Sequence, residues 1–211
     1  MYNSIDEYVL DHSTPLPEAL EWLERETSIH TNHAKMLAGP HLGRFLITFS
    51  RMLSPQRIME IGTFTGYSAI CLAMGLKEGG HLDAFEKNDF LEPLIQEGFK
   101  RAGVAHKITI HYGDALETIP GFKNNLYDLI YIDGNKREYC KYYQLVFDML
   151  RPGGYILADN VLWYEKVIAE PVPKDAQTQE ILKFNRMVSE DKRVENFILP
   201  LRDGLNIIRK L

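Results

Sequence analysis

Apolar positions along the chain follow one rhythm before residue 55 and another after it. From Ser13 to Ile29 the stretch "STPLPEALEWLERETSI" sets Leu20, Trp22 and Leu23 at partly helical spacing. Pro17 near the start and acids in the first turn complete a helix signal. A second helical pattern, "GRFLITFSRML", runs to Ser54-Pro55, where proline stops it. Beyond that boundary short apolar runs alternate with helical segments. Strands are predicted at Arg57 to Ile61, His81 to Glu86, Lys107 to Tyr112, Leu126 to Ile132 and Tyr155 to Ala158. The segments between them read as helices at Gly66 to Gly75, Phe90 to Ala102, Ala115 to Thr118 and Glu138 to Leu150.

Strands and helices in strict alternation need crossover connections of one hand. The pattern therefore predicts an α/β fold with a doubly wound, mostly parallel sheet covered on both faces. After the turn signal "RPGG" and a mixed segment from Trp163 to Asp175, a helix is expected at Gln177 to Ser189. The chain closes with "VENFILPLRDGLNIIRKL", two strand-like runs around Arg202-Asp203-Gly204, which predicts an antiparallel hairpin as strands six and seven.

At 211 residues, with no internal repeat or low-complexity linker, the whole chain, 1–211, is expected to form a single domain with a helical N-terminal segment at 1–55. A hydrophobic share of 45% and a charged share of 25% are those of an ordinary globular protein. The net charge of −5 argues against binding nucleic acid through a bulk positive field and favours a small-molecule ligand. Cys71 and Cys140 have no metal-ligand spacing and are expected as packed thiols of a reduced, cytoplasmic protein. Acids in "MYNSIDEYVLDHS" do not suit a signal peptide, and no apolar run reaches the ~18 residues of a membrane span.

In open parallel sheets ligands bind at the carboxyl ends of the strands. The first such end is "MEIGTFTGYSA", where Gly62 and Gly66 permit a tight turn and close backbone approach. Its spacing is not the G-x-G-x-x-G of a pyrophosphate loop, and Glu60 just before it would repel phosphate and attract an ammonium or sulfonium. The second end supplies Glu86, 24 residues past Gly62 (86 − 62), near the spacing at which an acid reaches ribose hydroxyls, although "FEKND" also fits a solvated turn. The third, "YGDAL", places Asp114 either to receive an adenine amino group or to cap the next helix. The fourth and fifth end at Asp133 and at Asp159-Asn160. Each would pass singly as a turn; together, on adjacent strands, they form a set of hard oxygen donors suited to Mg²⁺, Mn²⁺ or Ca²⁺. Lys136, about one turn beyond Asp133, is either a solvated helix-start lysine or a base made neutral by a neighbouring cation.

With these motifs together, the chain resembles the cation-dependent class I O-methyltransferases, the group that includes catechol O-methyltransferase and the plant caffeoyl-CoA O-methyltransferases, and it is similar to bacterial members. The resemblance runs from about Pro15 to the C-terminus through "MEIGTFTGYS", "GDAL", "YIDGNKREY", "LRPGGYILADNVLW" and "LPLRDGL". It implies a Rossmann-like methyltransferase fold and S-adenosylmethionine as cofactor. Glu60, Gly62, Thr63 and Ser68 would then hold the methionine part, Glu86 the ribose, and Asp114 with Ala115 the adenine, with Tyr67 and Asp133 also at the cofactor. Met36, in "HAKMLAGPHLGRFL", would close over cofactor and metal. The resemblance further implies Asp133, Asp159 and Asn160 as ligands of Mg²⁺ (or Mn²⁺ or Ca²⁺), Lys136 with Asp133 as the catalytic pair, and Tyr139 as a recurrent aromatic. The implied acceptor is a catechol-like or hydroxycinnamoyl-type phenol.

Two positions depart from the pattern: Asn135 stands where many relatives have Asp, and Tyr164-Glu165 where Asn or Asp and then Gly are usual. One alternative acceptor is hydroxylated wobble uridine in tRNA, served by a patch of Lys35, Arg44, Arg51 and Arg57. A non-catalytic protein retaining the cofactor pocket is the other alternative. A homodimer is expected, with "GRFLITFSRML" as a candidate contributor to its interface.

Overall fold

A computed structural model of the chain describes residues 2–211. Seven strands form one sheet in the order β3-β2-β1-β4-β5-β7-β6. They are β1 (Arg57–Ile61), β2 (His81–Glu86), β3 (Ile108–Tyr112), β4 (Tyr127–Ile132), β5 (Leu150–Asp159), β6 (Val194–Leu199) and β7 (Leu205–Lys210). The first five are mutually parallel, and β7 runs antiparallel to both β5 and β6. Among the described residues eight α-helices accompany them: α1 (Ile5–Asp11), α2 (Glu18–His30), α3 (Gly39–Leu53), α4 (Tyr67–Ala73), α5 (Glu92–Arg101), α6 (Ala115–Thr118), α7 (Tyr139–Val146) and α8 (Ala176–Glu190).

Alternate residues of the central strands feed two separate cores. Ile58, Leu129, Tyr131 and Leu157 pack with α2 to α5 on one face, while Met59, Ile130, Ile132 and Ile156 pack with α7 and α8 on the other. Burial on both faces is why these strands read as continuous apolar runs. Among the described residues no helix is long and apolar enough to cross a membrane.

Strand ends agree with the expectations to within a residue except at β5. There Tyr127 pairs with Leu150 but Leu129 pairs with Tyr155. The "RPGG" turn thus lies inside the strand as a bulge, where pairing resumes after Gly154, rather than ahead of it. Helix starts moved for local reasons. Pro17 caps α2, which begins at Glu18, and Asp89–Leu91 and Lys136–Glu138 form 3₁₀ turns ahead of α5 and α7. Helix α1 was not foreseen; Ser4 caps it by accepting a hydrogen bond from the Glu7 N–H, and it buries none of its residues.

Helix α3 buries its apolar stripe of Leu42, Leu46 and Ile47 in the core, packed against α4. Ser54, left-handed at φ 47°, ends that helix ahead of Pro55. Both cysteines are free and buried.

At the amino-terminal ends of the strands a buried charge is fully paired. Asp83 accepts hydrogen bonds from Arg57 (2.9 Å), Tyr127 (2.9 Å) and His111 (3.0 Å). Burial by itself would raise its pKa, but these donors hold it below the ordinary carboxylate range. The network belongs to stability and lies off the strand ends at which ligands bind.

Candidate active site

The strand order reverses between β1 and β4, and the loops that leave their carboxyl ends are tied together by backbone. Gly62 N–H donates to Phe85 O (3.0 Å), Asp133 N–H to Ile61 O (2.9 Å) and Gly113 N–H to Glu86 O (2.9 Å). Gly62 has φ +93°, and a Cβ there would stand 2.5 Å from the Asp133 carbonyl oxygen. Glycine is thus what lets the first loop lie against the fourth. Gly66 (φ +92°) starts α4 pressed onto Phe99.

Glu60, next to last in β1, is fully buried, and neither carboxylate oxygen has a hydrogen-bond partner. Burial is the main reason its pKa is pushed up to about 8, with the Asp133 and Glu86 charges adding to it. The Ser68 and Thr63 hydroxyls lie near enough to oppose that rise, yet neither completes a well-aligned bond, and the Thr63 hydroxyl is itself unpaired. Buried polar groups left without partners need an explanation. A cationic ligand above Glu60 would supply one.

Beside this loop lies a cleft of about 290 Å³. Its walls bring together Met36, Gly62, Glu86, Asp114, Ala115 and Asp133, all anticipated from sequence. The Glu86 carboxylate is held by two backbone donors, Phe64 N–H at 2.6 Å and Asn88 N–H at 2.8 Å. Asp114 caps α6 through the Leu116 N–H (3.0 Å) and pairs with Lys87 (2.9 Å), whose hydrogen bond holds its pKa down. The capping half of the expectation for Asp114 is therefore realised, while Asp114 still faces the cleft.

Tyr67 does not join these walls. Its ring packs toward Gly43 and faces a hollow beside α1. Tyr142, which sequence reasoning passed over, does line the cleft and donates to Glu138 (2.8 Å). The signal available was its place one helical turn after Glu138 on α7. Larger hollows of about 630 Å³ beside α1 and α3 and of about 690 Å³ between α2 and α5 contain no strand-end carboxylate.

At the β4 and β5 ends a partly buried polar chain links the remaining candidates. Lys136 Nζ donates to Asp133 Oδ1 (2.5 Å) and to the Tyr139 hydroxyl (2.6 Å). Tyr139 in turn donates to Asp159 O (2.8 Å). Tyr131 OH donates to Asp159 Oδ2 (3.0 Å), and Asn160 N–H to Asp159 Oδ1 (2.8 Å). Burial, then the charge of Asp133, raises the Asp159 pKa to about 6. Asp203, read from sequence only as a turn residue, also arrives here, close to Asn160 and Lys136. Among the described residues no three His, Cys, Asp or Glu side chains cluster as metal ligands. The set is instead two carboxylates and one amide oxygen, all hard donors, with adjacent negative charges that a divalent cation would relieve. These residues fit such an ion.

The family model described as O-methyltransferase matches residues 10–211. The chain belongs to the O-methyltransferase family. It is an S-adenosylmethionine-dependent O-methyltransferase. Among its relatives, caffeoyl-CoA O-methyltransferase 1 of Arabidopsis thaliana is 32% identical over 220 residues, covering 97% of this chain and 83% of that one. The caffeoyl-CoA O-methyltransferase of Medicago sativa is 32% identical over 225 residues, covering 99% and 89%. An O-methyltransferase from Bacillus cereus in complex with SAH superposes with a TM-score of 0.88 at 27% identity, covering 98% and 97% of the two chains. The Streptomyces achromogenes O-methyltransferase of tomaymycin synthesis, in complex with SAM, gives 0.90 at 27% identity, covering 99% and 96%. The seven-stranded order and the antiparallel C-terminal strands are thus those of this O-methyltransferase fold.

Proposed function

We propose that the enzyme moves the methyl group of S-adenosylmethionine to one of two neighbouring hydroxyls on a small catechol-like or hydroxycinnamoyl-type phenol, in a reaction that needs a divalent cation, Mg²⁺ foremost. The observation that carries this is the hydrogen-bonded chain Asp133, Lys136, Tyr139 and Asp159, which reaches the cofactor cleft through Asp133.

Glu60, ionised on ligand binding, holds the ammonium of the methionine part, and Gly62, Thr63 and Ser68 shape the pocket around it. Glu86 faces the ribose, Asp114 and Ala115 the adenine, and Met36 covers the cofactor. Asp133, Asp159 and Asn160 hold the cation, which supplies Lewis acidity that lowers the pKa of an acceptor hydroxyl.

Lys136 is the base. Its ammonium is stabilised by Asp133 as long as that carboxylate is its partner. Its Nζ, held between Asp133 Oδ1 and the Tyr139 hydroxyl, is placed to take the proton of an acceptor hydroxyl. Tyr139 keeps Nζ in place meanwhile. The deprotonated oxygen would then attack the methyl carbon in line, forming the O–C bond as the S–C bond breaks and the sulfonium leaves as the neutral thioether, and holding the two reactants in line contributes much of the rate.

The tRNA alternative loses support because two of the four basic side chains proposed for it are engaged, Arg57 with Asp83 and Arg44 with the Pro15 carbonyl. A homodimer is part of the proposal, formed through surfaces other than the buried stripe of α3.

The test is methyl transfer from labelled S-adenosylmethionine to catechols, caffeoyl thioesters and hydroxyuridine-containing tRNA, with Mg²⁺ and with EDTA. Labelling of a vicinal diphenol that EDTA abolishes is the expected result. Labelling that survives EDTA removes the role of Asp133, Asp159 and Asn160; labelling of tRNA alone replaces the acceptor.

Glu60 gives an independent prediction. With a folded pKa of about 8 against an ordinary value of 4.5, it is protonated in the empty enzyme at neutral pH. The stability it contributes is full below pH ~4.5 and falls as pH rises toward 8, because the folded state binds this proton more tightly than the unfolded one. Glu60→Gln is therefore expected to raise the melting temperature of the empty enzyme at pH 8 to 9. It is also expected to weaken S-adenosylmethionine by about tenfold or more in calorimetry. Wild-type affinity for the cofactor is expected to rise from pH 6 to pH 8 as the carboxylate forms. A flat profile would detach Glu60 from the ligand.

A further inference from the structure

The loop that follows Asn160 carries a run of left-handed backbone ahead of its own short turn at Lys166–Ile168. Asn160 sits at φ 58°, and Trp163, Tyr164 and Glu165 follow in succession at 48°, 55° and 60°. Left-handed backbone at non-glycine residues persists only where the surroundings over-determine it.

Here the surroundings are the tip of the β6–β7 hairpin. Asp203 Oδ1 accepts the Tyr164 N–H at 2.6 Å, the Asp203 carbonyl accepts the Leu162 N–H at 2.9 Å, and the Gly204 carbonyl accepts the Val161 N–H at 3.1 Å. Gly204, at φ +84°, leaves only 2.4 Å between the place of a Cβ and the Leu162 side chain, so the two segments are in direct contact. The Asn160 amide lies beside the Asp203 carboxylate, and Lys136 is near enough for its charge to be felt there. From the other side Arg202 donates to the Leu37 carbonyl (2.8 Å) and to that of Ala38, directly after Met36. The tip thus joins the loop after Asn160 to the segment that covers the cleft.

We infer that Asp203 is a positioning residue: its carboxylate fixes the left-handed Trp163–Glu165 turn, and with it the wall that orients the acceptor beside Lys136, without taking part in cofactor binding. This rests on the acceptor site proposed above. A side-chain acceptor is required at the tip because the Tyr164 N–H points at Oδ1, and the backbone carbonyls of Asp203 and Gly204 are already used by Leu162 and Val161. Tyr164 is exposed, and its ring meets that of its neighbour Trp163 with centroids 5.3 Å apart, a contact inside the turn that does not tie it to the rest of the fold.

The chain has two tryptophans, Trp22 and Trp163, so Trp22→Phe leaves Trp163 as the sole reporter of this loop. In that background Asp203→Ala is expected to shift Trp163 emission, raise its quenching by acrylamide and speed chymotryptic cleavage after Trp163 or Tyr164. S-adenosylmethionine affinity is expected to stay within about twofold, while KM for a phenolic acceptor rises about tenfold with a smaller change in kcat. Asp203→Asn retains an oxygen for the Tyr164 N–H and is expected to restore emission and protease resistance. Unchanged emission and cleavage in Asp203→Ala would overturn the inference, as would equal loss of cofactor affinity, which would mean general unfolding. Failure of the phenol or metal proposal shows instead as absent turnover in the wild-type enzyme, with the emission and cleavage differences intact.

Discussion

Lys136→Met is expected to lower methyl transfer by about a thousandfold while S-adenosylmethionine binds within about twofold of wild type. Methionine fills the same space without a charge or a proton site, so the change removes the proposed base and little else. Lys136 contacts Asp133 and Tyr139, neither of which depends on it for burial, since Tyr139 keeps the Asp159 carbonyl and Asp133 keeps its backbone tie to Ile61. Lys136→Arg separates two explanations. Arginine preserves a cation beside Asp133 but does not become neutral, so it cannot accept a proton. If lysine acts as a base, both variants are crippled in single-turnover assays; if it acts only through its charge, the arginine variant retains most of the rate.

Gly62→Ala is expected to cost roughly 3 kcal/mol or more and to abolish cofactor binding. Its Cβ would meet three backbone atoms within 2.8 Å, the carbonyl of Asp133 and the amide of Gly134, none of which can rotate away. The backbone at φ +93° is also unfavourable for any L side chain. For a chain of this size that loss corresponds to a fall of about 6–12 °C in melting temperature. Gly153→Ala is the control. It has φ +77° but no atom within 4 Å of the added carbon, so only the backbone term of about 1 kcal/mol applies and cofactor binding is retained. A Gly62→Ala protein that binds S-adenosylmethionine normally would mean that the loop-to-loop contact does not shape the site.

The alternation of apolar runs with helical segments was enough to place the parallel strands, because strands buried on both faces cannot be confused with amphipathic helices of ten or more residues. It was not enough for α1, whose apolar residues Ile5, Tyr8 and Val9 are all exposed and so carry no burial signal. Nor did it show that the "RPGG" turn would be absorbed into β5, since a bulge and a strand start use the same residues.

The sites divide in the same way. Gly62, Glu86, Asp114, Asp133 and Asp159 were legible because each terminates a strand or follows one, and parallel topology gathers all such ends on one edge. Which way a side chain leaves the backbone at that edge was not legible. Residues that follow strand ends on the same edge can face opposite sides, and so Tyr67, at the start of α4, turns to α3 while Ala115, at the start of α6, faces the cleft.

By itself, then, the sequence determined the doubly wound architecture and the identity of the strand-end acids, because local period and chain order specify both. Only the tertiary structure decided that Glu60 would be an unpaired buried carboxyl, that Tyr139 would bridge Lys136 to Asp159, and that Asp203, 70 residues past Asp133 (203 − 133), would reach the same corner. Those outcomes depend on which distant segments the folded sheet brings within hydrogen-bond range, and no local pattern of apolar and polar residues encodes that.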